Sequence, residues 1–117
     1  MKDNIVLDKS KSFAIRIVKL YKFLCAEKKE YILSKQLIRA GTSIGANIRE
    51  GVRAQSEADF YSKFAIALKE AEESSYWLEL LYESDELTKD QFDSIYQDCD
   101  ELISLLVAIT KNRKNNY

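Results

Sequence analysis

The chain gathers polar and very small side chains in one short segment, RAGTSIGANIREG, at residues 39–51. Asn47 is the group in this segment best suited to specific hydrogen bonding. An unpaired buried amide costs about 1 to 3 kcal/mol, so we expect Asn47 to have a partner. No nucleophile and base accompany Asn47, and a catalytic role is therefore not predicted for it.

Two arrangements would supply a partner for Asn47. The amide can bond within its own helical bundle and fix the register of the helices, as a buried asparagine does in coiled coils. Alternatively, Asn47 joins Gln36, Ser43 and Glu50, which lie on the same side of a helix, in a hydrogen-bonded network between two subunits. The sequence supports both arrangements.

A residue type on which many enzyme mechanisms depend is missing. The chain has no histidine, which removes the usual zinc and di-iron ligands and the histidine-based acid–base mechanisms. Cys25 and Cys99 fall on apolar helical stripes, so we expect buried, reduced thiols rather than a disulfide or a metal pair. Asp59, Glu70 and Glu73 are interpreted as surface positions of a helix whose inward side is apolar. We expect no enzyme activity, no metal or cofactor, and no small-molecule substrate.

Four segments with helical periodicity position these groups. The periodicity predicts helices over about 9–28, 34–50, 56–84 and 88–111, followed by a frayed polar tail over 112–117. Capping boxes open the third helix at Ser56 and the fourth at Thr88, while Gly51 is predicted to end the second as a left-handed cap. Short connections favour sequential antiparallel neighbours. The sequence therefore predicts one all-α domain over 1–117, an up-down-up-down four-helix bundle.

The second helix contains two interior glycines that need a compensating contact. Each costs about 1 kcal/mol relative to alanine, and the spacing of Gly41 and Gly45 lets another helix backbone lie close. That helix can belong to the same bundle or to a neighbouring subunit. Leu37, Ile44 and Ile48 are predicted to face the core beside Gly41. The set assigned to helix packing or to an oligomer interface is Gln36, Gly41, Ser43, Gly45, Ala46, Asn47 and Glu50.

The charges are divided between the two halves of the chain, although the net charge is only −1. Residues 1–55 carry 12 Lys and Arg against 5 Asp and Glu, and residues 56–110 carry 3 against 14. Such a division can steer a nucleic acid or match one subunit to another. The candidate phosphate contacts form one outer stripe of the second helix: Lys35, Arg39, Arg49 and Arg53.

This basic stripe also has a simpler interpretation, as solvated helix surface or as the partner of acidic helices in a neighbour. No recognised nucleic-acid motif accompanies it. The longest apolar run, residues 105–109, is far shorter than the roughly 18 residues that span a bilayer, so we expect a cytoplasmic protein without a membrane partner.

Three segments, in order and spacing, resemble the bacterial four-helix bundle proteins also called 23S rRNA intervening-sequence proteins. The segments are SKQLIRAGTSIGANIREG (34–51), AQSEADFYSKFAIALKEAEES (54–74) and YWLELL (76–81). The resemblance runs from about Phe13 to Leu81. It implies an antiparallel four-helix bundle that assembles as a homopentameric ring, without an established activity. A similar protein, the accessory variability determinant of diversity-generating retroelements, is a basic pentameric bundle that binds RNA and a reverse transcriptase.

Residues and resemblance together predict a non-enzymatic oligomeric scaffold that presents its surfaces to an RNA, protein or ribonucleoprotein partner. In a head-to-tail ring, a basic first or second helix would meet an acidic third or fourth helix of the next subunit. The alternative prediction is direct RNA or DNA binding by the basic faces of the first and second helices.

Overall fold

Four α-helices make up the described chain in the computed structural model, which covers the backbone of residues 2–114 and the side chains of residues 5–112. The helices are α1 (Lys2–Ala26), α2 (Leu33–Val52), α3 (Glu57–Glu83) and α4 (Lys89–Lys114). No strand occurs over residues 2–114, so the all-α prediction with four helices is confirmed. None of these helices is both long and apolar enough to cross a membrane.

The first and last helices are longer than predicted. α1 begins at Lys2 rather than near residue 9, because Val6 and Ser10 continue the buried stripe of Phe13 toward the N-terminus, with all three at most 1% exposed. α4 continues to Lys114, so the first half of the predicted tail is helical. Residues 115–117 lie outside the described residues.

Helices that follow one another along the chain also pack together, and α1 also contacts α4. No Cα atoms of α1 and α3, or of α2 and α4, approach within 8 Å in the described helices. In the first pair, Gly41 of α2 packs on Ile17 of α1, and Gly45 packs on Ser10, so the contacts run in opposite order along the two helices. The four helices form a rod with principal extents of 48 × 21 × 21 Å.

One apolar core runs through this rod, and all four helices contribute to it. Leu37, Ile44 and Ile48 are at most 1% exposed, which confirms the predicted inward face of α2. Full burial of side chains of this size contributes about 1.5 to 3 kcal/mol each. The largest fully buried side chains of the other helices are Phe13, Ile17, Leu24, Phe64, Leu78, Leu81, Leu102 and Leu106.

The predicted capping box forms in full at the start of α4, whereas only one of its two bonds forms at the start of α3. Thr88 Oγ1 accepts a hydrogen bond from the Gln91 N–H at 3.2 Å, and Gln91 Oε1 accepts one from the Thr88 N–H at 2.9 Å. Ser56 Oγ accepts a bond from the Asp59 N–H at 3.1 Å. These bonds stabilise helix starts by about 0.5 to 2 kcal/mol each.

The start of α2 uses a carboxylate that the sequence did not reveal. Glu30 accepts hydrogen bonds from the N–H groups of Ile32, Leu33 and Ser34 at 3.2, 2.9 and 2.7 Å. Partial burial acts to raise the pKa of Glu30, but these bonds outweigh it and hold the pKa below its ordinary value. The Ser34 hydroxyl donates to the Glu30 carbonyl at 2.6 Å, which closes the connection between α1 and α2.

The prediction that Gly51 ends α2 in a left-handed conformation was wrong. No glycine of the chain has a positive φ, and Gly51 lies buried within the helix, which continues to Val52. A Cβ atom on Gly51 would lie 2.7 Å from two ring carbons of Phe64. Gly51 therefore provides space for an aromatic ring of α3 rather than freedom for the backbone.

Candidate interaction surface on α1 and α2

The two interior glycines of α2 both face α1 of the same chain. A Cβ on Gly41 would lie 2.9 Å and 3.0 Å from the two γ carbons of Ile17, so this position has no room for a side chain. A Cβ on Gly45 would lie 3.4 Å from Ser10 Oγ, which is an ordinary van der Waals contact. Packing within the bundle therefore accounts for Gly41 and leaves Gly45 without a steric requirement.

Asn47 has a hydrogen-bond partner, as expected, but this partner belongs to its own helix. Its side-chain amide donates to the carbonyl of Ser43 at 2.8 Å, one turn earlier in α2. Ser43 Oγ in turn donates to the carbonyl of Arg39 at 2.6 Å. Asn47 is half-buried at the edge of the core. Within the chain, Asn47 is therefore linked neither to another helix nor to the Ser43 side chain, and its place in a network between two subunits stays a prediction.

The other two polar residues of the predicted set are exposed. Glu50 pairs with Lys63 of α3 at 3.2 Å, an ion pair on the surface between the two helices. Gln36 lies one helical turn after the start of α2. The four polar residues therefore occur along one helix without a common network inside the chain, and the network predicted between two subunits stays a prediction.

Two neighbouring surface grooves follow α2 and share Thr42. One groove, of about 460 Å³, lies between α1 and α2. Its lining combines small residues, Ala14, Gly45 and Ala46, with the charged residues Asp8, Lys11, Arg49 and Glu50. The other, of about 470 Å³, is lined by Tyr21, Lys35, Gln36, Ile38, Arg39 and Thr42. Apart from Gly41, Ser43 and Asn47, the predicted interface residues therefore line one open surface. The groove combines Lys11 of α1 with Arg49 of α2, and no spacing pattern within one helix predicts which residues of two helices line the same groove.

Many charges of opposite sign meet within the chain. Arg39 pairs with Glu70 at 3.4 Å and forms a second, shorter ion pair with Glu73. On the other side of the bundle, two ion pairs join α1 to α4. Exposed pairs of this kind are worth about 0 to 1 kcal/mol each. The α1–α4 pairs are Lys9 with Glu101 at 3.1 Å and Arg16 with Asp98 at 2.6 Å.

A set of exposed cations remains after these pairings. Of the predicted phosphate contacts, Arg39 is engaged by α3, whereas Lys35, Arg49 and Arg53 have no ion-pair partner among residues 5–112. The same is true of three lysines on the outer side of α1. Among residues 5–112, the unpaired cations along α1 and α2 are Lys11, Lys19, Lys22, Lys35, Arg49 and Arg53.

Neither cysteine belongs to this surface, and the two thiols differ in burial. Cys99 is buried as predicted, and its Sγ donates to the carbonyl of Ala71 at 3.3 Å. Burial, together with the nearby carboxylates, raises the pKa of Cys99 to about 12, so this thiol is not a ready nucleophile. Cys25 is half-buried rather than buried, and neither cysteine is in a disulfide. Side chains 5–112 contain no cluster of three or more potential metal ligands.

Comparisons with known proteins agree with this architecture. The family model described as 23S rRNA-intervening sequence protein matches residues 2–108. No curated protein matches the chain. A solved structure of a protein of unknown function from the S23 ribosomal protein family of Bacteroides thetaiotaomicron is 58% identical, with 95% of this chain and 99% of that chain covered and a TM-score of 0.93. The resemblance found in the three sequence segments is thereby confirmed, and the chain belongs to the 23S rRNA-intervening sequence protein family.

Proposed function

We propose that this protein is a non-enzymatic scaffold that works as a homo-oligomer, a head-to-tail homopentameric ring of four-helix bundles. The observation that carries the proposal is the charge left after pairing within the chain. Exposed cations remain on α1 and α2, while exposed acids without ion pairs remain on α3 and α4, among them Glu72, Asp90 and Asp100. Two surfaces of opposite sign on one molecule suit an interface that joins different patches of neighbouring copies.

The packing order supports an up-down-up-down topology for each subunit. Between α2 and α3, Arg39 pairs with Glu70, and Glu50, later in α2, pairs with the earlier Lys63. The α1–α4 ion pairs also run in opposite order. Every helix of such a bundle has an outward face that a neighbouring subunit can contact.

Exposed apolar side chains add to the case for contacts between copies. Tyr31 and Ile32, in the connection before α2, are 57% and 76% exposed. Contact with another chain would remove apolar surface from water, which is worth roughly 25 cal/mol per Å². The other large apolar side chains with substantial exposure are Ile5, Ile15, Val52, Ile66, Tyr76 and Val107.

The chemistry of the candidate surface supports a scaffold rather than an enzyme. The hydroxyls of Thr42 and Ser43 and the amide of Asn47 all donate to carbonyls of α2 itself. No base lies within hydrogen-bonding distance of these groups to activate them. The two free thiols are compatible with a cytoplasmic location, where reduced cysteines persist.

Native mass spectrometry and light scattering test the oligomeric state. We expect a mass five times that of the 13.5 kDa chain. Ala46→Glu should lower this mass, because Ala46 is exposed in the basic surface and its replacement leaves the core untouched. Ala65→Glu, at an exposed alanine of α3, is the matched control and should keep the wild-type mass. A wild-type protein of 13.5 kDa at all concentrations would overturn the proposal.

Direct binding of RNA or DNA is the second candidate, favoured by the six unpaired cations along α1 and α2. The net charge of −1 and the isoelectric point near 5.6 oppose it. Binding of an RNA oligonucleotide across a salt series distinguishes the two functions. Phosphate contacts would make the affinity fall steeply with salt, and replacing Lys19 and Lys22 by glutamate would weaken it. A scaffold without direct nucleic-acid contacts shows neither effect.

A further inference from the structure

We propose that the subunits join through two particular helix faces, with the exposed basic face of α2 in one copy packed against the exposed acidic face of α4 in the next. This inference rests on the proposed oligomeric function and identifies the partner of each surface as a second copy of this chain. It goes beyond the sequence prediction, which left two basic and two acidic helices as candidates.

The two faces have the same geometry and opposite charge. Positions on each face are separated alternately by four and three residues, which places them on one side of a helix. The α2 face consists of Lys35, Arg39, Thr42, Ala46, Arg49 and Arg53, all of them exposed apart from the half-buried Thr42. The α4 face consists of Asp93, Gln97, Asp100, Ser104 and Val107, all of them exposed.

Sign and number of charges separate these faces from those of the other two helices. The exposed side of α3 combines Lys69 with Glu72. The exposed side of α1 carries its three unpaired lysines without an acid between them, whereas the α2 face carries four cations and no acid. The α4 face contains no cation, and Lys89 and Lys111 lie one turn beyond its two ends. α2 therefore offers the larger basic face, and α4 offers an acidic one.

Apart from Arg39, which pairs with α3, the charges on both faces are available for contacts between copies. Lys35, Arg49 and Arg53 have no acidic partner within the described chain, and neither has Asp100. Asp93 pairs only with Lys89 of its own helix, a pair exposed to water on both sides. Such charges guide two copies into one orientation and disfavour contacts between like faces.

The middle of each face allows close approach. Ala46 and the half-buried Thr42 lie between the cations of α2, and Ser104 and Val107 follow the acids of α4. Val107 is 46% exposed in the single chain, so a helix packed here would cover an apolar side chain. Small residues at the centre of a contact let two helix backbones approach closely.

The positions of α2 and α4 allow one copy to use both faces at once. The two helices do not contact each other, because each packs between α1 and α3. A neighbour bound on α2 therefore leaves α4 open for another. Repetition of one such contact builds a ring when the rotation between copies closes, and an open chain when it does not.

Charge reversal tests the pairing of the two faces, with the mass in solution as the readout. Arg49→Glu combined with Arg53→Glu should reduce the assembly to the 13.5 kDa monomer. Asp93→Lys combined with Asp100→Lys should do the same. The chain that carries all four substitutions should regain the wild-type mass, because the new carboxylates on α2 of one copy can pair with the new ammonium groups on α4 of the next.

The matched control is Lys19→Glu combined with Lys22→Glu, which changes the net charge as much as the α2 variant but lies on α1. It should keep the wild-type mass, and circular dichroism should show the same helix content in every variant.

Two outcomes would contradict the pairing of α2 with α4 while the scaffold function stands. In the first, wild type assembles and the reversals leave its mass unchanged. In the second, the fourfold variant stays monomeric. A reversal at α2 that abolishes RNA binding without changing the mass would assign this face to nucleic acid instead. A monomeric wild type would remove the proposed function and this inference together.

Discussion

The interior of α2 contains the glycines of this protein, whereas the turns that end α1 and α3 contain its left-handed backbone. All three glycines lie inside α2 with negative φ, whereas the two residues with positive φ over residues 2–114 are Lys29, at 54°, and Asp85, at 68°. Left-handed backbone favours glycine, because a Cβ crowds the neighbouring carbonyl there. Glycine in this protein thus serves mainly to leave out a side chain where helices pack.

Hydrogen bonds stabilise the strained turns without glycine. After α3, the Asp85 N–H donates to the carbonyl of Tyr82 at 3.1 Å, and the Glu86 N–H donates to the carbonyl of Leu81 at 2.8 Å. This is the Schellman pattern, which satisfies the last carbonyls of a helix. The glycines inside α2 need no such hydrogen bonds to offset strain, since their φ values are those of an ordinary helix.

Gly51→Ala should change the free energy of unfolding the most. The new methyl group would lie 2.7 Å from the Phe64 ring, and overpacking of this kind costs about 1 to 3 kcal/mol. Alanine gains about 1 kcal/mol in helix propensity over glycine, which is less than most of this cost. Urea unfolding should show a loss of stability. The double variant with Phe64→Leu should lose less than the sum of the two single variants, and strict additivity would show that the ring is not the obstacle.

Removal of the Glu30 carboxylate tests the turn between α1 and α2. Glu30→Gln should destabilise the protein by about 0.5 to 2 kcal/mol at neutral pH, because a charged acceptor of three N–H groups is lost.

The effect of Glu30→Gln should depend on pH in one direction. The pKa of Glu30 in the folded protein lies below its ordinary value of 4.5, so the carboxylate stabilises the fold above that pH. This contribution is lost as the pH falls through the lowered pKa of the folded state. Thermal unfolding of wild type and variant should therefore differ near pH 7 and converge in acid, and a constant difference would contradict the capping role.

Gly45→Ala should stabilise the chain by about 0.4 to 1 kcal/mol. The added methyl group meets Ser10 only at ordinary contact distance, and alanine has less freedom than glycine in the unfolded chain. The same substitution at Gly41 is the matched control, since Ile17 leaves it no room there. Equal effects at the two positions in denaturant unfolding would show that the glycines are not used differently.

Asp85→Gly should have the smallest effect, a gain of about 0.5 kcal/mol. Glycine relieves the strain of a positive φ but adds freedom to the unfolded chain, and the two contributions largely cancel. The melting temperature in differential scanning calorimetry should rise slightly. A clear decrease would indicate that the Asp85 side chain itself stabilises the turn.

Local patterns predicted the helices well, because spacing and capping depend on residues a few positions apart. The inward face of Leu37, Ile44 and Ile48 and the capping box at Thr88 both follow from such patterns. Gly51 could not be interpreted in the same way, since its role depends on Phe64, a residue of another helix.

The candidate surface likewise has features that follow from local spacing and features that depend on contacts between helices. Helical spacing placed Asn47 correctly at the edge of the core, but spacing alone does not identify its hydrogen-bond partner, the carbonyl of Ser43. The charge division between the halves was visible in the sequence. Which cations would be paired within the bundle, as Arg39 is, depends on how α2 lies against α3.

The three hydrogen bonds to Glu30 have a consequence for the corner of the bundle between α1 and α2. They tie the connection to the first turn of α2, so the backbone of Tyr31 and Ile32 is held in place although both side chains project into water. This corner therefore keeps one backbone conformation, and little chain entropy is lost when another molecule binds to it.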